Sequence, residues 1–275
     1  MKKTTLTMAA VVAMAMTACT GKQKPAETAT DTQQTFEEQQ IKAGMNMQLD
    51  SLTNIWLGLQ QRGLFGIDES GKPTLSAEQK KVLPDYLFTP ESLAGKTETL
   101  SAMYRAFTVF SIDKEVAALY DMKDVWTPAI EKLTSEMNDP ALKLTLKGDI
   151  KYTKDNFEEL NKKLYKLEEE NGRANHFWES AATSIVEQTY LLSVNQDILL
   201  SKMTDKDAED ITYRIVLLLD AFEELSEYNP QLLQMLNVLQ PLGKLNAISV
   251  DQLRQQLNET KEEVAASRAK LFDFE

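Results

Sequence analysis

The chain of 275 residues contains one cysteine and one histidine. A single thiol cannot form an intramolecular disulfide. A single imidazole with no second thiol excludes the usual zinc sites, which need several Cys or His ligands. Glycine is scarce at ten residues and proline at eight, and both fall mainly between segments with helical spacing. Alternating β-branched runs are few and no hairpin signal stands out, which argues against an all-β fold. No G-x-S-x-G, S-x-x-K or glycine-rich phosphate loop occurs. The longest apolar stretch, Leu6 to Met16, is about half of the roughly 20 residues needed to span a bilayer. Basic charge is also in deficit, with 30 Lys and Arg against 42 Asp and Glu. That balance disfavours nucleic acid, whose phosphates reward clustered cations, and broad contact with anionic lipid.

The first residues present a basic pair, Lys2-Lys3, then the apolar stretch, then the small residues Thr17-Ala18 before Cys19. This order reads as a secretory signal. The segment Met16-Thr17-Ala18-Cys19 resembles the lipobox of bacterial lipoproteins. The resemblance implies cleavage between Ala18 and Cys19, with Cys19 carrying a diacylglycerol and an N-acyl chain. Two or more chains anchor stably where one does not. By the family's sorting rule, Thr20 in place of Asp implies the outer membrane. The basic tract Thr20-Gly21-Lys22-Gln23-Lys24 implies a periplasmic rather than a surface-exposed body. Cleavage before Cys19 removes two lysines and no acid, so the net charge moves from −12 to −14.

Residues 19–34 follow as an anchored tether, rich in Thr, Gln and Ala and without large apolar side chains. Such a stretch cannot offset its ordering entropy by burial. As a flexible coil it spans on the order of 20 Å.

Residues 35–275 read as an all-α, elongated multi-helix bundle of long amphipathic helices, divisible into two subdomains near 139–153. A first helix spans about Thr35 to Arg62, with Met45, Leu49, Leu52, Trp56 and Leu59 on one face. Ser76 with Gln79 is a capping-box signature that opens a short helix limited by Pro84. Thr89-Pro90-Glu91 starts a helix carrying Leu93, Leu100, Met103, Phe107 and Phe110, and another begins near Asp113. Thr127-Pro128 kinks or restarts it. The longest element covers 154–201, with a heptad seam from Phe157 to Leu199 interrupted by Asn171, Gln188 and Asn195. Those polar seam residues set register or mark a face for self-association. Asn171-Gly172 is the point where this element can break in two. Thr204 with Asp207, Asn229-Pro230 and Ser249 with Gln252 mark later helix starts, and the last helix carries Val250, Leu253, Leu257, Val264 and Leu271.

The chemistry-bearing residues have simple structural readings. His176 is expected inside a helix beside Phe177 and Trp178. The loop Asp68-Glu69-Ser70-Gly71 has its glycine fourth, where a calcium EF-hand needs it sixth. Adjacent carboxylates such as Glu158-Glu159, Glu168-Glu169-Glu170, Glu223-Glu224 and Glu262-Glu263 point about 100° apart on a helix, so they are expected to form solvated faces paired with lysines. Trp126, Trp178, Phe107 and Phe110 are expected in the core. Leu64-Phe65, in the loop after Gly63, is the candidate partner contact. The expectation is a non-enzymatic binding or scaffolding protein. It would bind a partner protein or an envelope polymer, with no cofactor, no metal and no catalytic residues. The competing reading is a helical carrier enclosing a small apolar ligand or lipid, and an enzyme of unknown class is the third.

Overall fold

The computed structural model describes residues 75–81, 97–122, 125–140, 142, 163, 166–168 and 170–273. Of these, 80% are helical and none lies in a strand, so the described part is an all-α bundle. The expected helix at 35–62, the anchor at Cys19 and the candidate contact Leu64-Phe65 lie outside the described residues.

Helix α1 spans Leu100–Leu119. Thr99 opens it, its hydroxyl accepting from the Ala102 N–H at 3.2 Å. Residues 97–99 are non-helical, so α1 begins well after the Thr89-Pro90 signal. The helix also runs through Asp113 without restarting. Asp113 is fully buried, and its carboxylate faces Arg268 across the core rather than capping backbone N–H groups. Helix α2 (Thr127–Met137) restarts at Thr127-Pro128 and ends at Asn138, whose φ of 48° is left-handed.

Helix α3 (Ala174–Val194) is the centre of the fold. The seam expected across 154–201 breaks at Asn171-Gly172, where Gly172 has φ +70°. It stops again at Asn195, before the single turn α4 (Gln196–Leu199). Every residue from Phe177 to Thr189 is buried, so α3 is covered on all faces rather than along one stripe. Helix α1 packs against it, and α6 (Leu233–Leu239), α7 (Val250–Glu259) and α8 (Lys261–Lys270) complete the enclosure.

Helix α5 (Asp205–Tyr228) packs on α6 and α7. Its start is a full capping box. The Thr204 hydroxyl accepts from Asp207 N–H, and the Asp207 carboxylate accepts from Thr204 N–H at 2.7 Å. Its stripe of Ile211, Ile215, Leu218, Phe222 and Leu225 is buried as the spacing implies. The last expected helix is two, broken at Thr260, yet Leu253, Leu257, Val264 and Leu271 all remain fully buried. Buried residues on both sides of 139–153 belong to one hydrophobic cluster, from Tyr104 to Phe272.

Candidate functional site

Among the described residues, most buried ionisable groups gather at the two ends of α3, with Arg214 and Asp207 on α5 apart from them. Before its start, the helical residues 166–168 and 170 lead into a turn at Asn171-Gly172, where Gly172 is left-handed. Asn171 N–H donates to the Leu167 carbonyl at 3.1 Å, and Arg173 N–H reaches back to the Glu168 carbonyl at 2.7 Å. With Gly172 left-handed between them, this is a Schellman arrangement. A Cβ at Gly172 would meet no neighbour, so the requirement there is backbone conformation alone.

The turn brings Glu168 and Arg173 against α1 and the end of α2. The Tyr104 hydroxyl donates to the Asp139 carboxylate. It accepts from Arg173 Nη1 at 3.1 Å, and the same nitrogen donates to the Met137 carbonyl at 3.1 Å. Arg173 lies 3.6 Å from Asp139 Oδ2. Asp139 and Glu168 are both cut off from solvent. Burial first, then the neighbouring Asp139, push the Glu168 carboxyl up to about 9, and Arg173 opposes them. Neither carboxyl oxygen of Glu168 has a hydrogen-bond partner, and this buried, unpartnered setting favours its protonated form at neutral pH. The Tyr104 phenol is held well above its ordinary value by burial and by the charges of Glu168 and Asp139. Burial works against the Arg173 guanidinium, but Tyr104, Asp139 and Glu168 outweigh it and raise its pKa.

One turn along α3, Glu179 accepts from the Ser101 hydroxyl. Arg105 Nη1 donates to Ser101 Oγ at 2.9 Å and lies 3.5 Å from Glu179 Oε2. Arg105 Nε donates to the Leu271 carbonyl at 2.8 Å, which ties the end of α8 to α1. Burial lowers the Arg105 guanidinium and Glu179 counters it. His176 stacks on Tyr104 with centroids 4.9 Å apart. Its Nδ1 is 3.6 Å from Glu179 Oε2, beyond hydrogen-bond range. Ser101 thus meets a carboxylate directly rather than an imidazole, which is not the order of a nucleophilic triad.

At the far end of α3, Arg268 Nε donates to Glu187 Oε2 at 2.7 Å, and Nη2 lies 3.7 Å from Asp113 Oδ2. The guanidinium also lies 4.6 Å from the Tyr190 ring centroid, a cation–π contact. Burial disfavours the charge on Arg268, but Glu187 and Asp113 reverse that and raise its pKa. Between α3 and α5, Arg214 Nη1 donates to Gln188 Oε1 at 3.3 Å, and Gln188 Nε2 to Ser184 Oγ at 2.9 Å. Burial lowers the Arg214 guanidinium to about 9. A void of about 10 Å³ beside it is lined by Ile185, Leu192, Ile211 and Ile215 among others. That is room for about one water.

Glu168 overturns the expectation of a wholly solvated glutamate run. It is buried, while Glu170 stays outside and pairs with Lys166 at 3.7 Å. Glu223, Glu224 and Glu262 are exposed as expected, and Glu263 pairs with Lys244. Trp126, Trp178, Phe107 and Phe110 lie in the core, and Trp126 stacks on Phe110. Reasoning from spacing missed Asp113, Asp139, Arg105 and Arg268 as interior charges. Arg105, Asp113 and Arg268 share helix faces with buried apolar residues, a weak signal, and Asp139, outside a helix, offers none.

Among the described residues, a broad surface groove of about 410 Å³ lies between the loop 245–249 and α7. Among the described residues no group of three or more His, Cys, Asp or Glu is placed to hold a metal ion, and no helix is long and apolar enough to cross a membrane. No family model matches the chain, and neither a curated protein nor a solved structure is significantly similar to it.

Proposed function

We propose that the protein is a lipid-anchored helical component of the bacterial cell envelope. It would be held at the periplasmic face of the outer membrane through Cys19 and act by binding or scaffolding a partner protein or envelope polymer rather than by catalysis. The observation that carries this reading is the order of residues 1–19: a basic start, a short apolar stretch, small residues and then the chain's only cysteine. The composition of residues 20–34 supports a spacer between lipid and body. Between α3 and α5 there is no room for a small apolar ligand. The void between α3 and α5 is about 10 Å³, against the few hundred that small-molecule pockets occupy. The charge clusters on α3 are occupied in joining helices.

Cys19→Ala should abolish acyl-chain labelling in cells and release the protein from the membrane fraction. Unchanged membrane retention would contradict the anchor. In-cell crosslinking of the anchored form should recover a defined protein or polymer fragment. Recovery of neither would count against the binding role.

A further inference from the structure

The groove beside α7 has a chemistry that selects a ligand. On α7, Gln252, Gln255, Gln256 and Glu259 recur at helical spacing and share the face opposite the buried Leu253 and Leu257. Asn246 and Ile248 close the other side. The side-chain amides are fixed in orientation by groups whose polarity is unambiguous. Gln256 Oε1 accepts from the Asn246 backbone N–H at 2.9 Å, and its Nε2 donates to Asn246 Oδ1 at 2.6 Å. Gln252 Oε1 accepts from the Ile248 N–H at 3.1 Å. Gln255 Nε2 donates to Glu259 Oε1 at 2.8 Å.

These bonds leave a defined set of unused groups facing solvent: the amide nitrogens of Asn246 and Gln252 as donors, and Gln255 Oε1 and Glu259 Oε2 as acceptors. A ligand that satisfies both sets must accept and donate over a short distance, as hydroxyl groups do. An anion can donate nothing, and it would meet Glu259 with no cation in the lining. Ile248, 67% exposed, offers an aliphatic contact for the C–H face of a sugar ring. An extended peptide would want a strand edge or apolar anchor pockets, and this lining is a polar helix face with one isoleucine. The volume of about 410 Å³ lies in the range of small-ligand sites.

We propose that this groove binds a neutral oligosaccharide of the kind an envelope polymer presents. The proposal rests on the binding reading above and names its ligand class. The test uses the full lipidated chain in a sugar-free detergent, screened against an array of neutral linear oligosaccharides, with calorimetry on the best ligand. At least one oligosaccharide should bind at millimolar concentration or below. Gln252→Ala and Gln255→Ala should each weaken it about fivefold to tenfold, the equivalent of one or two lost hydrogen bonds. Gln255 is exposed on a helix that alanine favours, so helix content and melting should stay unchanged in that variant, whereas Gln252→Ala also frees the Ile248 N–H and should lower melting slightly.

A blank array would overturn the proposal, as would an affinity that neither substitution moves. Loss of peptide binding instead of sugar binding in these variants would also overturn it. If the array is blank while in-cell crosslinking still recovers a defined partner, the groove assignment fails and the binding role stands.

Discussion

The two parts of the bundle are held by different chemistry. Around α3, helices are joined by buried charge: Asp139 with Arg173, Glu179 with Arg105, and Glu187 and Asp113 with Arg268. From α5 to α8 they are joined chiefly by aliphatic stripes, with Leu218, Leu225, Leu239, Leu253, Leu257 and Leu271 all buried. Apolar stripes tolerate small shifts at modest cost. Buried charges do not, because each one left without its counterpart is exposed to a low dielectric. The central helix is therefore specified in position by its partners, while the C-terminal helices are specified by area and shape.

Breaking the charged region should have the largest effect. Arg268→Ala leaves Glu187 and Asp113 buried without their shared cation, and should cost about 3–5 kcal/mol in denaturant unfolding. A loss below 1 kcal/mol would mean that water replaces the guanidinium. In the aliphatic region, Leu253→Ala should cost about 3 kcal/mol through lost transfer energy and the cavity left behind. That loss should be insensitive to pH between 5 and 9, which separates it from the first. The smallest effect is local. Thr204→Ala removes the hydroxyl half of the α5 capping box and should lower stability by about 1 kcal/mol. Fraying read by hydrogen exchange should stay within the first turn of α5.

The contrast also explains what could be read from residue order. The stripe of α5, its Thr204–Asp207 box and the buried leucines of α7 and α8 follow from periodicity and capping, which are local. The Ser76–Gln79 box forms both of its bonds, at 2.9 and 3.2 Å, for the same reason. Ser249 does accept from Gln252 N–H, but the Gln252 side chain turns to the Ile248 N–H instead, a choice made by the loop before the helix. The charged core was not legible. Asp113 looks like a helix start until Arg268, far along the chain, takes its carboxylate. Glu168 looks like its exposed neighbour Glu170 until Gly172 turns the chain and sets it against Asp139. The groove needed the loop 245–249 folded against α7 before its amides shared one space. Leu64 and Phe65, the proposed partner contact, lie outside the described residues.

The claim that α3 closes on a protonated carboxyl has a direct test in thermal unfolding from pH 5 to 9, comparing the natural chain with Glu168→Gln. The unfolded chain releases this proton near pH 4.5 and the folded protein only near 9. Across that window the folded state binds more protons, so stability falls as pH rises, at up to roughly 1.4 kcal/mol per pH unit from this group. The glutamine keeps the size of the side chain and does not titrate. The account predicts that the two proteins differ little at pH 5, and that the variant becomes progressively more stable than the natural chain toward pH 9. A difference that stays constant across the range would contradict it.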